Sequence, residues 1–180
     1  MLWLFSDPVR LPDPTGLLAG LPAGSGVIFR PYGQPDAEAV GRRLRRLTRQ
    51  LGLLLVVAGD ARLARRLGAD GLHLPEHALH GHALHGRRGD IPVVTAAAHG
   101  VAAISKAARA GAAGVFISPV FETASHPGAA ALGPVRFALL LQAARRRGLR
   151  VYALGGIDAA CWRRLVPLKP DGSGGIGRFI

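Results

Sequence analysis

Gly68-Ala69-Asp70-Gly71-Leu72-His73-Leu74 reads as a helix end, a tight turn and a short apolar strand. Gly111-Ala112-Ala113-Gly114-Val115-Phe116-Ile117 repeats that pattern, and Lys169-Pro170-Asp171-Gly172 opens a third copy. In each, glycine lets the chain turn sharply and approach a sheet closely. Outward from these echoes, apolar runs recur at Leu2–Phe5, Val27–Phe29, Leu53–Val57, Gly71–Leu74, Pro92–Thr95, Gly114–Ile117, Val151–Leu154 and Gly174–Ile176. Several are continuously apolar rather than alternating, which suits parallel strands covered on both faces.

Helical patterns separate most of these runs. In Asp36–Leu51, apolar Ala37, Val40, Leu44, Leu47 and Leu51 recur at steps of three and four, with Asp36 as the expected N-cap. Asp60 and Asp158 are placed to cap two further helices, and Val135–Arg147 ends at Gly148 after three arginines. About one helical turn fits around Thr15–Leu21. Strict strand–helix alternation predicts an α/β fold with a parallel sheet. Eight units without a dinucleotide-binding fingerprint predict a compact (β/α)8 TIM barrel over residues 1–180, a single domain lacking some outer helices. A doubly wound open sheet is the runner-up. Because the last strand lies at the end of the chain, no closing helix is expected after it.

The 180 residues are 49% apolar, enough for a sizeable core. Cys161 is the single cysteine, which excludes a disulfide scaffold and points to the cytoplasm. No run approaches the roughly 20 apolar residues of a membrane span, and Met1–Asp7 does not read as a signal peptide. The net charge is +12, and 21 of the 23 basic residues are arginine. They fall in pairs and triples on helix-like stretches whose other face is Leu and Ala. A solvated outer face accounts for them, and without interleaved aromatic residues nucleic acid is not the expected partner.

In a barrel, the segment after each strand faces the active site. Here these positions offer Ser6 and Asp7, Arg30 and Tyr32, Asp60, Glu76 and His77, and His99; the long Ser118–Gly128 segment, Gly155-Gly156 and Gly177-Arg178 complete the series. Glycines after strands seven and eight leave backbone N–H groups open to a phosphate. Arg178, Thr123 and Ser125 are placed to add a charge and hydroxyls to that anion. The plainer alternative is that Gly155 and Gly156 only permit a tight turn.

The segments Gly68–Leu74, His99, Ser118-Pro119-Val120-Phe121-Glu122-Thr123-Ala124-Ser125, Leu132-Gly133, Ala153–Ile157 and Asp171–Phe179 together resemble the thiamine phosphate synthase and TenI family. The resemblance runs from about Leu53 to Ile180 and is loose before that. It implies a barrel that binds a thiazole phosphate and, in the synthases, a pyrimidine diphosphate. Loss of diphosphate there gives a pyrimidine cation that the thiazole nitrogen captures. Carried over, Gly155, Gly156, Ile176 and Gly177 would surround the thiazole phosphate with backbone amides, while Thr123 and Ser125 would contact it through hydroxyls.

The departures bear on Mg2+. Where the family pattern has Asn-Asp after strand three and Asp after strand four, this chain has Ala58, Gly59 and about Ala78. Glu76 and Asp60 are the fallback metal ligands, with Asp7 a further carboxylate. Arg30 is what survives of a basic motif after strand two, His126 stands where a lysine is expected, and Ala97 replaces a serine. Arg30 and His126 would then neutralise the departing diphosphate. The tautomerase branch carries a histidine where Pro119 stands, so His99 or His126 would have to move the proton. A non-catalytic thiazole-phosphate carrier that has lost the metal half-site is the alternative from another class. Whether a second copy of the chain pairs with the first as a homodimer is left open.

His73, His77, His80, His82 and His85 fall close together without a standard zinc spacing. They read as solvated loop histidines, with metal binding the less favoured alternative. Cys161 beside Trp162 reads as a small core residue. Glu122 divides evenly between loop solvation and substrate contact.

Overall fold

A computed structural model describes residues 1–79, 91–123 and 130–176. Eight strands close into a barrel in chain order: β1 (Leu2–Phe5), β2 (Gly26–Phe29), β3 (Leu54–Ala58), β4 (Gly71–Leu74), β5 (Val93–Ala98), β6 (Gly114–Ile117), β7 (Arg150–Leu154) and β8 (Gly172–Gly175). Every neighbouring pair is parallel, including β8 with β1. Helices α1 (Ala37–Gln50), α2 (Ala61–Leu67), α3 (Val101–Arg109), α4 (Gly133–Arg145) and α5 (Ala159–Leu165) lie between strands. Between β1 and β2 there is only a 3-10 helix, Thr15–Gly20. The short connection expected there is borne out. No helix among the described residues is long and apolar enough to cross a membrane.

The strands alternate between two cores. Leu4, Val27, Phe29, Leu55, Val57, Leu72, Val94, Val115, Ile117 and Val151 point outward into the layer of helices. The inward positions hold Trp3, Phe5, Ile28, Val56, Ala58, Phe116 and Tyr152, which form a second cluster. Both faces of the sheet are therefore buried, as the continuously apolar strands require. Glycines make room for the inner rings. A Cβ at Gly26 would overlap the Trp3 ring, one at Gly114 would press on Tyr152 at 3.1 Å, and one at Gly174 would meet Phe5 at 2.8 Å.

These contacts revise the reading of the echoed glycines. Gly71 and Gly114 do more than turn the chain: they stand at inward positions that have no room for a side chain. At Gly71 a Cβ would lie 2.6 Å from the Val93 carbonyl oxygen. The aspartates before Gly71 and Gly172 act across the sheet. Asp70 accepts the Leu55 N–H at 2.8 Å, and Asp171 accepts the Val151 N–H at 2.8 Å. Each carboxylate thus satisfies a donor at the start of the preceding strand. This anchoring sets β8 at Gly172–Gly175, two residues earlier at its start than the expected Gly174–Ile176. The fifth strand runs on to Ala98, because its three alanines continue the ladder with β6 up to the Ala98–Ile117 pair.

Caps follow the sequence in part. Asp60 accepts the Arg62 and Leu63 N–H groups, and Asp158 accepts that of Cys161. Asp36 occupies the N-cap of α1, but its side chain makes no cap hydrogen bond. The arginine pairs are drawn into ion pairs with Glu38, Asp13 and Asp70 on the helical face. Most of these are solvent-screened and contribute little. The Arg45–Asp70 pair differs: Arg45 is largely covered and grips the carboxylate through two nitrogens at 2.7 and 3.1 Å. Replacing Asp70 with alanine strands both Arg45 and the Leu55 N–H. Asp70→Ala is expected to lower unfolding free energy by about 1–3 kcal/mol, read from urea midpoints, with Asp70→Asn losing less.

Candidate functional site

The chain segments leaving the strands gather at one end of the barrel, above the aromatic core. After β2, Arg30 is held in place from three directions. Its backbone N–H donates to Ser6 Oγ at 2.7 Å, its Nε donates to the Ser6 carbonyl, and Nη2 donates to Asp7 Oδ2 at 3.1 Å. The guanidinium also lies 5.6 Å from the centroid of the Phe5 ring. Asp7 is fixed in turn by Arg10 at 2.8 Å and by the Val9 and Arg10 N–H groups. The Arg10 hydrogen bond, aided by these amides and opposed by desolvation, holds the Asp7 carboxyl far below the usual carboxylate range. Arg30 is therefore a pre-oriented cation at the mouth. Beside it, the Tyr32 ring covers Gly59, where a Cβ would lie 3.1 Å from the ring edge.

On the other side of the mouth, His99 follows β5 and is tied to two neighbours. Its backbone N–H donates to Glu76 Oε2 at 2.8 Å, and its Nδ1 lies 2.6 Å from the Ser118 carbonyl oxygen. A carbonyl accepts, so Nδ1 carries the proton in the neutral ring and Nε2 presents its lone pair. Nε2 points toward Glu76 Oε2 at 3.8 Å. The His99–Ser118 contact joins two strand ends, and the ladder contains it: His99 and Ser118 each stand one step beyond the Ala98–Ile117 pair.

The carboxylates do not make an all-oxygen Mg2+ site. Mg2+ requires near-octahedral oxygen ligands. Asp60 spends Oδ1 on two amides of α2. Tyr32 fills the space over Gly59, and Glu76 is paired with an imidazole. Among the described residues no group of three or more His, Cys, Asp or Glu side chains is placed to hold a metal. Asp60 and Glu76 thus each have a structural partner, and the donor set at the mouth is mixed nitrogen and oxygen.

Of the expected phosphate cradle, Gly155, Gly156, Thr123 and Ile176 are described; Ser125 and Gly177 lie outside the described residues, as do His126, Arg178 and Phe179. Gly155 and Gly156 have φ of +90° and +65°. Both are pressed against the segment after β6. The Phe121 N–H donates to the Gly155 carbonyl at 3.0 Å, and a Cβ at Gly156 would overlap the Glu122 carbonyl oxygen. The need for glycine here is met by the protein's own chain, the plainer of the two readings. Gly156 also borders a cleft of about 500 Å3 with Glu122, Asp158, Cys161 and Arg164, so Cys161 is half-buried at a surface cleft rather than a core residue. Ile176, like Leu54 and Leu154, is partly buried against the inner cluster.

His73 departs from its reading as a loop histidine. It lies on β4, faces the barrel interior and is 5% exposed. Nδ1 is 3.0 Å from Thr95 Oγ1, and Phe5 and Phe116 meet the ring edge-on. Burial, with a smaller contribution from Arg30, pushes its pKa down to about 3. His77 is exposed, whereas His80, His82 and His85 lie outside the described residues.

Two outcomes follow from these environments. Gly156→Ala is expected to destabilise the fold by at least about 1–3 kcal/mol, since alanine must adopt a positive φ and displace the Glu122 segment; an unchanged urea midpoint would show that this packing does not require the glycine. His73 stays neutral in the fold but binds a proton when unfolded below its ordinary value of 6.5. Stability should therefore fall as pH drops from about 6.5 toward 3, by up to about 1.4 kcal/mol per pH unit. His73→Leu should flatten that part of the pH profile of urea midpoints, whatever its overall stability.

A family model described as thiamine monophosphate synthase matches residues 20–172. The chain is 33% identical over 181 residues to a thiamine-phosphate synthase of Acidithiobacillus ferrooxidans, covering 94% of this chain and 82% of that one. It is 30% identical over 137 residues to a putative thiamine-phosphate synthase 2 of Aquifex aeolicus, covering 76% and 70%. With the thiamine-phosphate synthase of Geobacillus kaustophilus it shares 32% identity over 140 residues, and the match spans only 61% of that relative's length. A solved thiamine phosphate pyrophosphorylase from Pyrococcus furiosus superposes with a TM-score of 0.78 over 97% of this chain and 84% of its own, at 22% identity, which supports the fold. With the barrel closed and the family match covering most of it, the chain belongs to the thiamine monophosphate synthase family of thiamine biosynthesis.

Proposed function

We propose that this barrel joins a pyrimidine diphosphate to a thiazole phosphate and releases diphosphate. The observation that carries the reading is the Arg30 guanidinium, fixed by Ser6 and Asp7 at the mouth of a barrel of this family. In the reaction the bond between the pyrimidine methylene carbon and the diphosphate oxygen breaks, and the electron pair leaves with diphosphate. The thiazole ring nitrogen then forms the new carbon–nitrogen bond. Arg30 meets the charge that grows on the leaving group, and His126 is assigned the same task. A cation that is already oriented adds no reorganisation at that moment. The thiazole phosphate is assigned to the backbone amides around Gly155, Gly156, Ile176 and Gly177, with the Thr123 and Ser125 hydroxyls. His99, its tautomer set by Ser118, presents the Nε2 lone pair at the mouth and is assigned the proton-transfer role.

A second reading is favoured by one contact. Tyr32 over Gly59 occupies ground that the family pattern gives to a metal-binding carboxylate. A protein that keeps the thiazole phosphate site and has lost the diphosphate half-site would bind its ligand without metal and turn nothing over.

Mixing the two phosphorylated precursors with divalent metal and following diphosphate release separates the readings. Synthase turnover is expected, and Arg30→Gln should lower kcat/KM by about 10²–10³-fold while the melting temperature shows the variant folded. Background-level product at high protein concentration removes the synthase reading. A thermal shift by thiazole phosphate alone would then support the binding protein.

A further inference from the structure

Among the described residues, His99 and Glu76 form a titratable pair at the mouth that the proposed chemistry leaves incompletely used, and its geometry is specific. Nε2 of His99 and Oε2 of Glu76 are 3.8 Å apart. That exceeds the ~2.7–3.2 Å of a hydrogen bond. Two bonds of ~2.0–2.2 Å to one shared cation would bridge it at an open angle of roughly 120–145°, wider than the tetrahedral one. Both atoms are held in place by other contacts. The Ser118 carbonyl takes the Nδ1 proton at 2.6 Å, the outer hydrogen bond that metal-ligating histidines use to fix the tautomer and aim Nε2. The His99 N–H holds Glu76 Oε2 at 2.8 Å, orienting the carboxylate. Both side chains are partly open to solvent, 54% and 39% exposed, so water or substrate oxygens can reach the same point.

We propose that His99 Nε2 and Glu76 Oε2 form a two-ligand site for a divalent transition metal at the barrel mouth. Water, or phosphate oxygens of a substrate, complete its coordination. An imidazole nitrogen with one carboxylate oxygen suits Zn2+, Co2+ or Mn2+, whereas Mg2+ prefers oxygen ligands throughout. The mixed donor set therefore shifts metal preference away from Mg2+, in keeping with the loss of the all-oxygen arrangement across the mouth. The metal site rests on this geometry alone; only the phosphate ligand rests on the proposed substrates.

Metal-free protein without a histidine tag is titrated with Co2+, followed by its visible absorption, and with Zn2+ and Mg2+ by calorimetry. One equivalent of Co2+ and of Zn2+ is expected to bind, each at least about tenfold more tightly than Mg2+. His99→Gln and Glu76→Gln should each weaken Zn2+ binding by at least about tenfold with the melting temperature unchanged. A variant with His77, His80, His82 and His85 all changed to Gln should keep the equivalent. The proposal is overturned if neither Co2+ nor Zn2+ binds, if Mg2+ binds as tightly as Zn2+, or if binding follows the four-histidine variant and survives His99→Gln. Thiazole phosphate binding measured without metal tests the proposed function separately.

Discussion

The whole barrel depends on fitting Trp3, Phe5, Phe116, Tyr152 and the ring of His73 inside eight short strands. The rings meet edge to face or stacked, with centroids 4.9 to 5.8 Å apart. Such packing leaves no room for ordinary side chains on the facing strands, so Gly26, Gly114 and Gly174 stand opposite the rings. Barrel interiors are usually layered with branched aliphatic residues. Here the rings carried by four strands are matched by absent side chains on their neighbours. These rings fill the interior around His73 and Phe116, and the segments after the strands lie above them.

That trade also explains what the sequence revealed and what it concealed. Continuous apolar strands alternating with helices identified the parallel barrel because local pattern and global architecture agree. Strand eight was harder to place. Gly-Ser-Gly-Gly carries no strand propensity, and its register is fixed by Asp171 reaching the Val151 N–H and by the inner rings. Asp70 does the same for Leu55. Both partners lie on another strand, so neighbouring residues give no hint of them. By spacing His73 falls in with the histidines that follow it, although Gly71 and His73 share one face of a strand. Only the knowledge that this face points inward separates this buried neutral imidazole from the exposed His77.

At the mouth, positions were easier to read than reasons. Arg30, Glu76 and His99 follow directly from where the strands end. Their partners Ser6, Asp7 and Ser118 also follow strands, but each belongs to the neighbouring strand. Gly155 and Gly156 show the limit more sharply. A ligand that needs close backbone access and a protein loop that needs the same space demand the same residue. Glycine therefore reports a close approach without saying what approaches; here Pro119, Phe121 and Glu122 do.

Asp60 and Tyr32 show how one residue of displacement changes a site. A carboxylate at position 59 would project toward the Tyr32 ring, and glycine removes that conflict. One step later, Asp60 stands at the N-terminus of α2, where two unpaired amides claim it. The carboxylate is still present in the sequence, but helix capping has taken it over. Electrostatically, the mouth becomes two-sided. The strand-two side carries the fixed guanidinium of Arg30 beside an aromatic ring, and the strand-four and strand-five side carries Glu76 with the His99 imidazole. An anion arriving at this barrel is met directly by a protein cation on the first side. On the second side the Glu76 carboxylate would repel it unless a cation lies between them. Among the described residues that asymmetry is built from the end of β2, the first turn of α2 and the ladder between β5 and β6.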